Sequence, residues 1–211
     1  MSDCPPWDGE IDSNDNRFVQ AQRTVRQDIS KRCQQSLIES KDLRRWHRTL
    51  FSSFVPLDYY AGYYRQNDLD RPCLGIDVHI ANITGAPFKI VHECMNRLID
   101  NFRNHLIHFE LAWVRLTPQE RAFRTATLLA RAIGEFIRIH PFLQGNGRTS
   151  RCLWIWGLSR FNIPIQVGIA PRPNQPYSEI MARSMHGDDK PLMDCIFLHL
   201  LGNRPQQMTQ S

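Results

Sequence analysis

The sequence contains no long hydrophobic run: none of its 211 residues falls in a stretch approaching the roughly 20 apolar positions that a membrane-spanning helix needs. The opening residues, MSDCPPWDGEIDSNDN, are acidic and polar and lack the apolar core of a secretory signal, so the expected location is cytoplasmic. Cysteine occurs six times (Cys4, Cys33, Cys73, Cys94, Cys152, Cys195), never as a CxxC pair. That spacing argues against zinc and predicts six reduced thiols used as small apolar core residues. Internal repeats are missing, and no composition shift marks a second domain. The expected organisation is an irregular N-terminal arm over residues 1–16, one helical domain over 17–202 and a flexible tail over 203–211.

What the chain does have is a basic excess, with a formal net charge of +5 and an isoelectric point near 9.0. Its arginines are dispersed through amphipathic segments, the pattern of a solvated surface. Even RRWHR at 44–48 places Trp46 on an apolar stripe with Leu43 and Leu50, so nucleic acid is not the expected partner.

Helical periodicity dominates. Phe18, Val25, Ile29, Cys33 and Leu37 predict a helix over 18–39, and Leu43, Trp46, Leu50 and Phe54 another over 42–54. An irregular aromatic loop, YYAGYYRQNDLDRPCLG, follows. In IDVHIA at 76–81, Ile76, Val78 and Ile80 alternate with Asp77, His79 and Ala81. With NITG behind it, the segment reads as a short β-hairpin over 75–86. Helix resumes at Pro87 through Val91, Met95, Leu98, Phe102 and Leu106. TPQE at 117–120 then writes a capping box, with Thr117 as N-cap and Pro118 at the first helical position. That helix is expected to bury Phe123, Leu128, Ile133 and Ile137 and to end at His140, before Pro141. CLWIWGLSRF, apolar nearly all round, predicts a central helix with its tryptophans in the core, and shorter helices follow at 177–185 and 191–201.

Between two of these helices lies HPFLQGNGRTSR, residues 140–151. Phe142 can anchor the loop in the core. Gly145 and Gly147 permit positive φ and close backbone approach, and the helix beginning there supplies free N–H groups to an anion. Arg148 and Arg151, three apart in its first turn, suit phosphate oxygens. His140, neutral at physiological pH, can take a proton from an incoming hydroxyl.

HPFLQGNGRTSR resembles the Fic family motif HxFx(D/E)GNGRxxR at every fixed position but one. WHRTLF at 46–51, AGYYR at 61–65, the strand-like segment 75–86 and YSEIMARSMHGDD at 177–189 extend the resemblance over roughly 40–200. It implies an all-α, Fic-type helical domain with a short β-hairpin flap beside the active-site loop. It also implies transfer of AMP from ATP to a Ser, Thr or Tyr hydroxyl of a protein target, with release of pyrophosphate. By the same resemblance His140 would be the base, Gly145, Asn146 and Gly147 would bind phosphates, and Arg148 and Arg151 would neutralise the distal ones. The flap residues Ile76, Asp77, Val78, His79 and Ile80 would dock the target as an added strand.

The exception is Gln144, which stands where the family has a carboxylate that helps hold Mg²⁺. A neutral amide oxygen is a weaker ligand for that hard cation, so Mg²⁺ is expected to be carried with the nucleotide. The alternative expectation is a non-catalytic or weakly active nucleotide-binding module. Doc-type relatives, which phosphorylate, carry lysine where this chain has Gly147, so nucleotidyl transfer is favoured. The family's inhibitory pattern [ST]xxxE[GN] is missing: none of Glu10, Glu39, Glu93, Glu110, Glu120, Glu135 and Glu179 precedes Gly or Asn. Restraint, if the protein is toxin-like, would then come from a separate antitoxin-like partner, or low intrinsic activity would make restraint unnecessary. His105 and His108 form an HxxH without a third ligand, and His47 reads as a packing residue.

Overall fold

The structure, a computed structural model, describes residues 4–8, 10–80, 83–164, 167–169 and 176–202. The expected tail at 203–211 lies outside them, as do Ala81, Asn82 and the side chain of Ile80 in the flap. The described chain is mostly helical: α1 (Asn16–Arg32), α2 (Ser40–Phe51), α3 (Val91–Ala112), α4 (Pro118–Ile139), α5 (Asn146–Arg160), α6 (Tyr177–Met185) and α7 (Lys190–Gly202). An antiparallel pair, β1 (His79–Ile80) and β2 (Ile83–Thr84), forms the hairpin between α2 and α3.

Helix α4 is the hub and packs against α3, α5, α6 and α7. Its start follows the capping box: Glu120 N–H donates to Thr117 Oγ1, and Thr117 N–H donates to the Glu120 carboxylate at 2.8 Å. Helix α5 runs through the centre, burying Cys152, Leu153, Trp154, Ile155, Trp156 and Leu158, as an element apolar all round must. Gly157 is needed in that crossing because a Cβ there would lie 2.3 Å from Leu129 Cδ2 of α4. At its far end, the Gln34 amide donates to the carbonyls of Ser159 and Arg160.

Several sequence expectations change. The helix predicted over 18–39 stops at Arg32, and Gln34 beyond it caps the end of α5 at the surface. Phe123, expected in the core, is 48% exposed, because among the described residues only an edge contact with Phe197 of α7 covers part of its ring. The hairpin ladder is two residue pairs long, His79 with Thr84 and Ile80 with Ile83, and leaves Ile76 and Val78 outside it.

The six cysteines are not all thiols. Cys4 and Cys73 form a disulfide across 69 residues, while Cys33, Cys94 and Cys152 are buried and free and Cys195 is free and partly buried. The arm folds back because Trp7 packs on His47, Phe51 and Tyr60, and the Tyr60 hydroxyl donates to the Pro5 carbonyl. That places Cys4 against the 3₁₀ turn Pro72–Leu74. Such a bond belongs to oxidising surroundings and goes against the reducing compartment expected from spacing alone. Among the described residues, no helix is long and apolar enough to cross a membrane.

Candidate active site

Residues 140–146 turn the chain from α4 into α5, and local chemistry fixes each step. His140 caps α4 in the left-handed region, φ 51° and ψ 59°. Glycine usually fills that position, and a side chain there costs about 1 kcal/mol or more, strain that concentrates at functional sites. Its Nδ1 lies 3.3 Å from the Ile137 carbonyl. Donation from Nδ1–H to that oxygen leaves the lone pair on Nε2, the tautomer a base requires.

Phe142 is fully buried, its ring stacked on His47 with centroids 3.7 Å apart. Asn146 then closes the loop: Phe142 N–H donates to its Oδ1 at 3.0 Å, and its Nδ2 donates back to the Phe142 carbonyl at 2.9 Å. Its side-chain amide is thus engaged with the loop's own backbone. Gly145, φ 78°, is doubly required, since a Cβ would lie 2.5 Å from Phe51 and 3.1 Å from His47 Nε2. Gly147 adopts no positive φ, contrary to expectation. It sits within the first turn of α5, where an added Cβ would meet only Arg151 Nη1 at 3.7 Å, so the site's mouth stays open.

The two arginines diverge. Arg151 is buried and its guanidinium donates twice to the Ile169 carbonyl, at 2.6 and 2.8 Å. Arg148 lies over the rings of Phe18 and Phe51. Gln144 is partly exposed, and its backbone carbonyl is held by His47 at 2.9 Å. Because Gly62 N–H donates to His47 Nδ1, the bond to Gln144 must come from Nε2–H, and His47 is a neutral strut between two loops.

Arg65 was not singled out from the sequence. It has no exposed surface and donates to four carbonyls: Ala86 at 2.7 Å, His140 at 2.9 Å, Ile139 at 3.0 Å and Ile76 at 3.2 Å. Two belong to the loop around His140 and two flank the hairpin, so one side chain bolts flap to loop. The only available hint was a lone charge inside the aromatic run AGYYR. Burial lowers its pKa to about 10, partly countered by Asp77 at 3.8 Å, and it stays charged at neutral pH. Asp77 also accepts from Phe88 N–H, and His79 bonds Thr84 across the hairpin at 3.0 Å. Val78 accepts from Gly85 N–H, and Gly85 approaches His140 so closely that a Cβ would lie 2.9 Å from the histidine's own.

The Fic/DOC family matches residues 37–158, more than half of the chain, a span that takes in the hairpin, Arg65 and the loop 140–151. The chain belongs to the Fic/DOC family. Its fold is similar to that of a Fic domain containing signaling protein from Bacteroides thetaiotaomicron, with a TM-score of 0.60 and 20% identity over 92% of this chain and 73% of that one. At that identity the likeness speaks for the fold alone. No curated protein matches the sequence.

Electrostatics at this Fic site keeps both histidines neutral. Burial lowers His47 to about 3, with the Gln144 carbonyl opposing. Burial lowers His140 to about 4, with the Ile137 carbonyl opposing and Arg65 adding to the effect. Below the ordinary histidine value, near 6.5, the unfolded chain therefore binds protons that the native state refuses. Stability contributed by this pair is complete above that value and is lost as pH falls toward 4. Urea unfolding across this window should show stability falling by about 1.4 kcal/mol per pH unit for each histidine. A flat profile would mean that neither ring is shielded as described.

Proposed function

We propose that the protein transfers AMP from ATP to a hydroxyl of a protein target. The observation that carries the reading is His140, held in a strained backbone conformation with Nε2 left as acceptor, at one end of a loop whose other end is the N-terminus of α5. The first N–H groups of that helix have no intrahelical acceptors and, with the open face at Gly147, suit a polyphosphate. Membership of the Fic/DOC family, known for AMPylation and related transfer, supports the same reaction class.

In this reading an extended target segment adds to the edge of the hairpin, β1 and β2, and presents its hydroxyl to the site. His140 Nε2 takes the hydroxyl proton as the oxygen attacks the α-phosphorus. An oxygen–phosphorus bond forms, the bond to the β-phosphate oxygen breaks, and pyrophosphate leaves with its charge stabilised by the α5 N-terminus. A base near pKa 4 is weak. Phosphate charge brought by the nucleotide would raise it toward the working range.

Mg²⁺ fits this site only as part of the nucleotide substrate. Gln144 offers a neutral amide where the family has a carboxylate, and no cluster of three His, Cys, Asp or Glu occurs among the described residues. The same glutamine favours a second reading, a nucleotide-binding module with little or no transfer. Gln144→Glu should strengthen Mn²⁺ binding in the presence of nucleotide, measured by electron paramagnetic resonance, by about tenfold, and should raise transfer with it. Unchanged metal affinity would show that position 144 does not face the metal.

The decisive test is the position of the transferred label. The protein and a cell lysate are incubated with α-³²P-ATP or γ-³²P-ATP. Label from the α-phosphate alone is expected. Label from the γ-phosphate would replace nucleotidyl by phosphoryl transfer, and nucleotide binding with neither label would leave the binding module.

A further inference from the structure

A cavity of about 560 Å³ lies away from His140, in the groove between α3 and α4. Its floor is apolar, made by Leu98, Phe102 and Phe109 on one side and Phe123, Leu128 and Ala132 on the other. Above the floor stand Arg97, Arg124 and Arg131, all exposed. Among the described residues none of the three forms a close ion pair with a carboxylate, although Arg124 lies near enough to Glu120, one turn earlier, to favour its charged form. The two acidic residues of the lining, Glu135 and Asp189, are both held by Arg138 at one end. The groove thus combines a largely apolar floor, exposed chiefly at Phe123, with three arginines on its rim.

We infer that this groove docks an acidic amphipathic helix of a partner protein. Its extent fits a helix: lining positions run from Arg97 to Phe109 on α3 and from Phe123 to Arg138 on α4, about 18 and 22 Å at the helical rise. Two long helical walls, apolar at Leu98, Phe102 and Phe109 on one and at Phe123, Leu128 and Ala132 on the other, can take a third helix by ridges and grooves. The sign of the rim selects an occupant whose apolar stripe is flanked by Asp and Glu. Residues 203–211, NRPQQMTQS, contain no Asp or Glu side chain, and the acidic arm is bound by Trp7 to α2. A second copy, with a net charge of +5, would meet the rim with its own sign.

The inference is independent of the transfer reaction and is tested on the intact chain. A phage-displayed library of randomised helical peptides of about 14 residues, long enough to fill the groove, is selected on the immobilised protein. Recovered peptides should be acidic, with apolar residues at i, i+3, i+4 and i+7. Fluorescence anisotropy should show their binding weakened by about tenfold or more in the double variant Arg124→Glu, Arg131→Glu, and in Phe123→Asp. Both sites are exposed, and circular dichroism confirms that each variant folds. Lysine-substituted versions of the peptides should bind the double glutamate variant in preference to the parent. Neutral or basic peptides, binding indifferent to the variants, or an empty selection would each overturn the inference. So would binding of anionic phospholipid vesicles that depends on the same arginines.

Discussion

His140→Asn should lower transfer by about 10²- to 10⁴-fold, the range a positioned general base contributes, while nucleotide affinity changes little. Asparagine is the informative replacement because it tolerates the left-handed backbone that His140 occupies, so the loop keeps its shape. The same variant should remove one of the two protons that drive acid destabilisation, reducing the slope between pH 6.5 and about 4 by roughly half. Alanine at 140 would lose the base as well, but with strain added at φ 51°. Isothermal titration with a non-hydrolysable ATP analogue separates binding from chemistry. Should transfer persist in His140→Asn within about threefold, the base lies elsewhere and the proposed mechanism fails.

Arg65→Ala should be the most damaging single change to the fold near the site. It takes a donor from four carbonyls in a region where the guanidinium has no exposed surface, and of these Ile139 keeps a second donor, the Ala86 N–H at 3.1 Å. An unmet buried acceptor costs about 1–3 kcal/mol. Partial hydration of the flap carbonyls would reduce the total to about 3–5 kcal/mol. Arg65→Lys keeps the charge but cannot reproduce a planar fork reaching both the loop and the flap, and it should lose much of the same stability. Urea unfolding gives the number directly. Transfer in Arg65→Lys should fall further than its remaining folded fraction explains, because the flap is no longer registered against His140. A loss of less than about 1 kcal/mol in Arg65→Ala would mean that water replaces the guanidinium without penalty.

Local chemistry was legible in the sequence, and long-range chemistry was not. The α4 capping box spans four residues, the α5 core pattern one helix and the HPFLQGNGRTSR loop twelve, so each can be read without knowing what lies across from it. Arg65 reaches carbonyls 74 and 75 residues away, and His47 reaches Gln144 across 97. Nothing in periodicity marks such partners. Asn146 illustrates a subtler limit: its place in the loop was visible, but whether its amide faces a ligand or its own backbone depends on how the turn closes. Phe123 follows the helical stripe faithfully, yet the stripe says only which residues share a face, and the fold decides whether that face is covered.

The bridge between Cys4 and Cys73 makes solvent redox conditions an experimental variable for every comparison at this site. Trp7 leans on the same histidine that holds the Gln144 carbonyl, so the arm is a third tier behind the loop. With the bridge closed, that tier is tethered at both ends. With it reduced, Trp7 keeps its place by packing and one hydrogen bond to Pro5. Two preparations of one sequence, with and without thiol reagent, are therefore different reagents, and a truncation that removes residues before α1 removes part of the site's support.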